Sequence, residues 1–175
     1  KDGMEKLRET KIVQTFVDTQ PREILKFCFN KAGITDFAIS DQELPLRHYF
    51  VVGNQNVLQV QKLINQTWKL DWEFYREPEG IVICQPWKET ERYRGGQPVA
   101  RLECGKNILD LWTSDCQTGG LRTFLLPMLR HGHVIEVVDR RFWATETLVK
   151  IERIEYNYGA NGAGMVIEWQ KVPEN

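Results

Sequence analysis

Residues 88 to 98, Lys-Glu-Thr-Glu-Arg-Tyr-Arg-Gly-Gly-Gln-Pro, divide the chain into two stretches with different hydrophobic periods. Before them, apolar residues recur twice at helical spacing, between runs that alternate or are rich in β-branched residues. After them the helical spacing fades and short strand-like runs follow one another. The divider is charged and ends in Gly-Gly-x-Pro, a composition that breaks regular structure. A chain of 175 residues has room for one domain or two small ones. The change of period argues for two. The expected organisation is an α+β unit over residues 10–88, a linker over 89–98 and a β-rich portion over 99–175.

The first stretch reads β-α-β-β-α-β-β. Lys11 to Val17 is rich in Val, Ile, Thr and Phe, as strands are. Thr19 or Gln20 then caps a helix, with Pro21 in its first turn, where a missing N–H costs nothing. Ile24, Leu25, Cys28 and Ala32 line one helical face, and Gly33 ends it. Ile34 to Ser40 is a short strand and Leu46 to Val52 a stronger one, closed by Gly53-Asn54. Val57, Leu58, Val60, Leu63, Ile64 and Trp68 recur at helical spacing. Leu70, Trp72 and Phe74 alternate with polar residues, the period of a half-buried strand. Glu77-Pro78-Glu79-Gly80 turns that strand into Ile81 to Cys84, giving a hairpin.

Five strands are expected in the second stretch, at Val99 to Glu103, Ile108 to Thr113, His133 to Val138, Thr147 to Tyr158 and Gly164 to Val172. Gly159-Ala160-Asn161-Gly162-Ala163 is the tip of a hairpin between the last two.

Several function classes are excluded or disfavoured. The formal net charge is −1, which argues against a strongly basic nucleic-acid binder. No apolar run approaches the ~20 residues of a membrane-spanning helix. The first residues carry no apolar core of a signal peptide. The chain does not begin with Met and reads as a fragment. Cys28, Cys84, Cys104 and Cys116 lack zinc-type spacing and read as free thiols of a reducing compartment.

No catalytic constellation stands out. His131-Gly132-His133 has no third ligand near it in sequence and reads as a loop or strand start. The glycine-rich tip lacks the Gly-Lys-Ser/Thr and the following helix of a phosphate loop. Glu136, Asp139, Glu152 and Glu155 read as a solvated face. No metal, cofactor or small-molecule substrate is expected. Of the six tryptophans, Trp68, Trp72 and Trp169 read as core, and Trp87, Trp112 and Trp143 as interface candidates. Arg130, Arg140 and Arg141, with Phe142 and Trp143, form the one cluster of cations and aromatics. Such residues anchor protein interfaces.

The ordered set of segments resembles the baseplate hub proteins of contractile-tailed phages, whose hub part recurs in type VI secretion spikes. Thr15-Phe16-Val17-Asp18-Thr19-Gln20-Pro21-Arg22-Glu23-Ile24-Leu25 with Ala32-Gly33-Ile34 looks like the hub's opening strand and helix. Arg47 to Gly53 with Val57 to Trp68, and Trp72-Glu73-Phe74-Tyr75 with Gly80-Ile81-Val82-Ile83, are similar to its next strand, helix and hairpin. Leu102 to Leu109 resembles the approach to the hub's barrel, and Leu126 to Val137 a strand of that barrel. Leu148 to Tyr158 and Met165 to Trp169 match its closing hairpin. The likeness spans roughly residues 11 to 172.

The resemblance implies an α+β unit followed by a tube-like barrel portion, in a C-terminal fragment of a longer hub protein. It implies a non-enzymatic homotrimer that joins tail tube to spike, located in the virion tail baseplate and assembled in the bacterial cytoplasm. Arg130, Arg140, Arg141, Phe142 and Trp143 are then the expected contact residues. The rival readings are a ring-building module of a secretion system, a generic protein-binding module and a tail-associated cell-wall hydrolase.

Overall fold

The computed structural model of the chain describes residues 3–159 and 162–173. These form two compact units, which divide between Thr90 and Glu91. The architecture is α+β, and the second unit is a curled half-barrel.

The first unit contains α1 (Gly3–Glu9), β1 (Lys11–Thr19), α2 (Pro21–Lys31), β2 (Phe37–Ile39), β3 (Arg47–Asn56), α3 (Val57–Trp68), β4 (Trp72–Arg76) and β5 (Val82–Pro86). β1 and β3 pair as an antiparallel ribbon. β2, β5 and β4 form a second sheet in that order, with β2 parallel and β4 antiparallel to β5. The core is built from Leu7, Ile12, Ile24, Leu25, Phe29, Phe50, Val60, Ile64, Trp72, Val82 and their neighbours.

Local chemistry fixes both longer helices. The Glu23 carboxylate accepts from the Gln20 N–H and the Thr19 hydroxyl, each at 3.1 Å, and so closes the first turn of α2. Gly33 lies at φ +68°, which lets its N–H and that of Ile34 reach back to the carbonyls of Asn30 and Phe29. At α3, Asn56 and Gln59 exchange side-chain and backbone bonds of 2.9 Å. This helix ends at Lys69, held at φ 56°, ψ 48°, where a Cβ is strained. Replacing Lys69 by Gly is expected to raise stability to urea by about 0.5–1 kcal/mol, the strain relieved outweighing the added chain entropy.

Two features of this unit differ from the sequence reading. Residues 3–9 form a short helix that buries Leu7, although seven residues are too few to show a period. β3 does not close at Gly53-Asn54 but runs on to Asn56. A bulge in β3, where Gly53 and Asn54 together face Val13 of β1, keeps the two strands paired past that point, with Asn54 at φ 54°.

The second unit contains β6 (Arg101–Glu103), β7 (Ile108–Thr113), β8 (Thr118–Phe124), β9 (Val134–Val138), β10 (Thr147–Gly159) and β11 (Gly162–Lys171). They form one sheet in the order β6-β9-β10-β11-β8-β7. β6 is parallel to β9 and the other neighbours are antiparallel. An isolated bridge between Cys104 and Ile108 links the two end strands, so the curl brings the sheet's edges together. The core includes Leu102, Leu111, Leu121, Ile135, Val137, Val149, Ile151, Met165, Ile167 and Trp169. β8 is a sixth strand that the sequence reading missed. Ala160 and Asn161, in the glycine-rich hairpin tip, lie outside the described residues.

All four cysteines are free thiols. Burial pushes Cys28 up to about 12 and raises Cys84 further, so neither is reactive at neutral pH.

Candidate functional site

The segment between β9 and β10 carries four of the five residues singled out above, Arg140, Arg141, Phe142 and Trp143. It leaves the sheet at Asp139, whose side chain is 2% exposed. Asp139 organises the turn. It accepts from the Arg141 backbone N–H at 2.9 Å, from Nε at 3.0 and 3.1 Å, and from Nη2 at 2.6 Å. Its own carbonyl accepts from the N–H groups of Phe142 and Trp143. Arg141 also donates through Nη2 to the Cys104 Sγ at 3.2 Å and lies over the Phe142 ring.

The two aromatics point the other way. Phe142 and Trp143 are half-buried against the core of the second unit, and Trp143 meets Trp169 edge-on at 5.5 Å. Arg140 is exposed. Arg130 sits apart, in the turn before β9. Its guanidinium donates to the carbonyls of Pro127 and Leu129, and its N–H to His133 Nδ1 at 3.2 Å. The structure therefore gathers four of the five residues on one strap, with arginines outward and aromatics inward, and places Arg130 in another turn.

One side of the strap borders an open cleft of 540 Å3 lined by Arg101, Glu103, Asp139, Arg140, Arg141 and Glu146, among others. Its charges are mixed and largely paired. Arg101 bridges Glu136 at 3.0 Å and Glu146 at 3.3 Å, and Lys106 pairs with Glu103. The hydrogen bonds from Arg141 hold Asp139 below the ordinary carboxylate range, and Asp139 in turn raises Arg141. Burial, then Asp139, raises the Cys104 thiol, so it stays protonated and is a weak nucleophile. Among the described residues, no cluster of three or more His, Cys, Asp or Glu is placed to hold a metal. No helix among them is long and apolar enough to cross a membrane.

Asp139 corrects the expectation that these carboxylates form a solvated face. The turn it makes is local chemistry, although its burial is not. An Asp followed two residues later by an N–H it can accept is an Asx-turn, the natural way to leave a strand. The pair also predicts a pH dependence. The Asp139 carboxyl is lowered in the folded chain, so its stabilisation is complete above the unfolded value of about 3.9. It is lost as pH falls through the lower folded value. Urea unfolding at neutral and acid pH checks this, because Asp139→Asn should lower stability at neutral pH and flatten its fall in acid.

No protein-family model matches the chain, and neither does any curated protein. Solved structures do. A 43 kDa tail protein of prophage MuSo2 from Shewanella oneidensis matches at a TM-score of 0.72 and 8% identity, over 97% of this chain and 70% of that one. The c3393 protein of E. coli matches at 0.73 and 12%, over 98% of this chain and 54% of that one. It is a component of the type VI secretion system with structural similarity to the T4 bacteriophage tail proteins gp27 and gp5. A tail protein from Neisseria meningitidis MC58 matches at 0.68 and 10%, over 96% of this chain and 72% of that one. The chain thus has the fold of these tail and secretion proteins over nearly all of its length, and spans about half to three quarters of theirs.

Proposed function

We propose that this chain is a structural component of a phage or prophage-derived tail baseplate hub, joining tail tube to spike through a trimeric ring. One observation carries the reading. Two tail proteins and a type VI secretion component match over 96–98% of the chain at TM-scores of 0.68–0.73. The matching type VI component extends the reading to contractile injection machinery in general. The partners are two further copies of the chain, the tube and the spike, and the location is the baseplate of a tail assembled in the bacterial cytoplasm. The role is non-enzymatic. The tightly paired charges of the strap suit a rigid contact surface better than a reacting centre.

Arg140, exposed on the strap, is the contact residue to test, with Arg130, Arg141, Phe142 and Trp143 behind it. Light scattering should give the mass of a trimer. Arg140→Glu should reduce that mass toward the monomer while the melting temperature stays unchanged. A wild-type chain that remains monomeric at every concentration would overturn the ring.

A further inference from the structure

The ribbon of β1 and β3 is an incomplete sheet. It pairs with no other strand among the described residues, so neither outer edge has a strand partner. Phe50 and Val52 face the core, while the opposite face is apolar and bare. Val13 is 66% exposed, Val17 55%, Tyr49 64% and Val51 63%. The register sets Val17 opposite Tyr49 and Thr15 opposite Val51, so these side chains form one patch. No carboxylate lies in this row, and Lys11 stands at one end of it; beside it the exposed Asp18 pairs with His48, and Arg47 turns to Thr67 and Trp68 of α3. A two-stranded ribbon with an open apolar face is a site of association.

The second unit carries a counterpart. Beyond Lys150, β10 leaves β9 behind and continues as a hairpin with β11. Ile154, Tyr156 and Tyr158 prolong the row of Ile167 and Met165, but Tyr156 is 41% and Tyr158 74% exposed. Tyr158, Leu109 and Phe124 border a groove of 400 Å3 at this end of the sheet. Arg122 also lines it, opposite Asp110 in the register.

We infer that the hairpin end of one copy seats on the ribbon face of a second copy of this chain. The inference rests on the ring proposed above and names the surfaces that would build it. Two different surfaces meeting head to tail make a heterologous contact, the kind that closes rings. The four ribbon side chains expose on the order of 400 Å2, the size of a functional patch. With the ribbon's polar rim, that approaches the ~800 Å2 per partner of a standard interface.

The test places a photo-reactive p-benzoylphenylalanine at position 158 and irradiates an equal mixture of isotopically heavy and light chains. Heavy-to-light crosslinks to residues 13–17 or 49–51 are expected. Crosslinks confined within single chains, or joining copies at other surfaces, would overturn the inference. In parallel, light scattering follows Val17→Glu/Val51→Glu, with circular dichroism to confirm folding and Val17→Thr/Val51→Thr as the control. The acidic pair should weaken association at least tenfold and the threonine pair much less. An acidic variant that keeps the wild-type trimer mass would rule out the ribbon and leave the ring standing. A wild-type chain that never associates would remove both.

Discussion

Gly119→Ala is expected to unfold the second unit under conditions where the wild-type chain is stable. A Cβ at position 119 would lie 2.2 Å from the carbonyl oxygen of Trp112, 2.7 Å from Cζ2 of Trp169 and 3.1 Å from Cβ of Thr113. The first of these is backbone of the neighbouring strand, one residue before Thr113, the register partner of Gly119, and cannot move without opening the β7–β8 ladder. The second is a ring that is 2% exposed and has nowhere to go. Overpacking against mobile side chains costs about 1–3 kcal/mol. Here the obstacle is backbone, so the loss should be about 3 kcal/mol or more. Gly120→Ala is the informative control. Its Cβ meets the ring of Trp112, 2.3 Å from Cζ2, but that side chain is 46% exposed and can swing into solvent. Urea unfolding followed by circular dichroism should show a small loss for Gly120→Ala and a large one for Gly119→Ala. Equal losses would mean that the β7–β8 ladder yields easily.

The same glycines explain why β8 was invisible in the sequence. Thr118-Gly119-Gly120 reads as a turn, because paired glycines lower strand propensity and usually mark chain reversals. In the folded chain they do something only tertiary structure reveals. They clear space for Trp112 on one side and Trp169 on the other. Elements that announce themselves locally were legible. The Gln20 cap and Pro21 start of α2, the helical spacing of Val57 to Trp68, the alternation of Trp72 and Phe74, and the Glu77–Gly80 turn, closed by the Gly80 N–H on the Glu77 carbonyl, lie where the local chemistry puts them. The candidate site was half legible. The strap shows in sequence as a cluster of cations and aromatics. That Asp139 is buried, clamps Arg141 and turns Phe142 and Trp143 toward the core depends on the curl of a sheet whose end strands are five positions apart in strand order. No local pattern carries that information. Equally, Val13, Val17, Tyr49 and Val51 look like core residues to any reading by propensity, and only the paired ribbon shows that their face is bare.

Trp169→Ala is expected to be the most damaging truncation in the second unit, and its consequences should extend to the strap. Trp169, on β11, lies opposite Ile151 of β10 and Gly119 of β8, so it touches both flanking strands from the inner face. Trp143 leans on it edge-on, which anchors the segment that carries Arg140 and Arg141. Removing the indole deletes the largest fully buried side chain in the chain's described core, and the neighbouring glycine cannot fill the space. A buried Trp→Ala change costs about 3–5 kcal/mol, a large fraction of the stability of a small domain. Trp169→Phe should recover most of that loss, since a ring remains for Trp143 to pack on. The decisive readout combines urea unfolding with the emission of Trp143 in chains where Trp68, Trp72, Trp87 and Trp112 are replaced by Phe and position 169 is Ala or Phe. In the Trp169→Ala background the emission should shift to the red as Trp143 gains water, and in the Trp169→Phe background it should hold. An unshifted emission in the alanine variant would show that Asp139 and Arg141 hold the strap without the aromatic anchor. The surface that presents Arg140 would then be independent of the core beneath it.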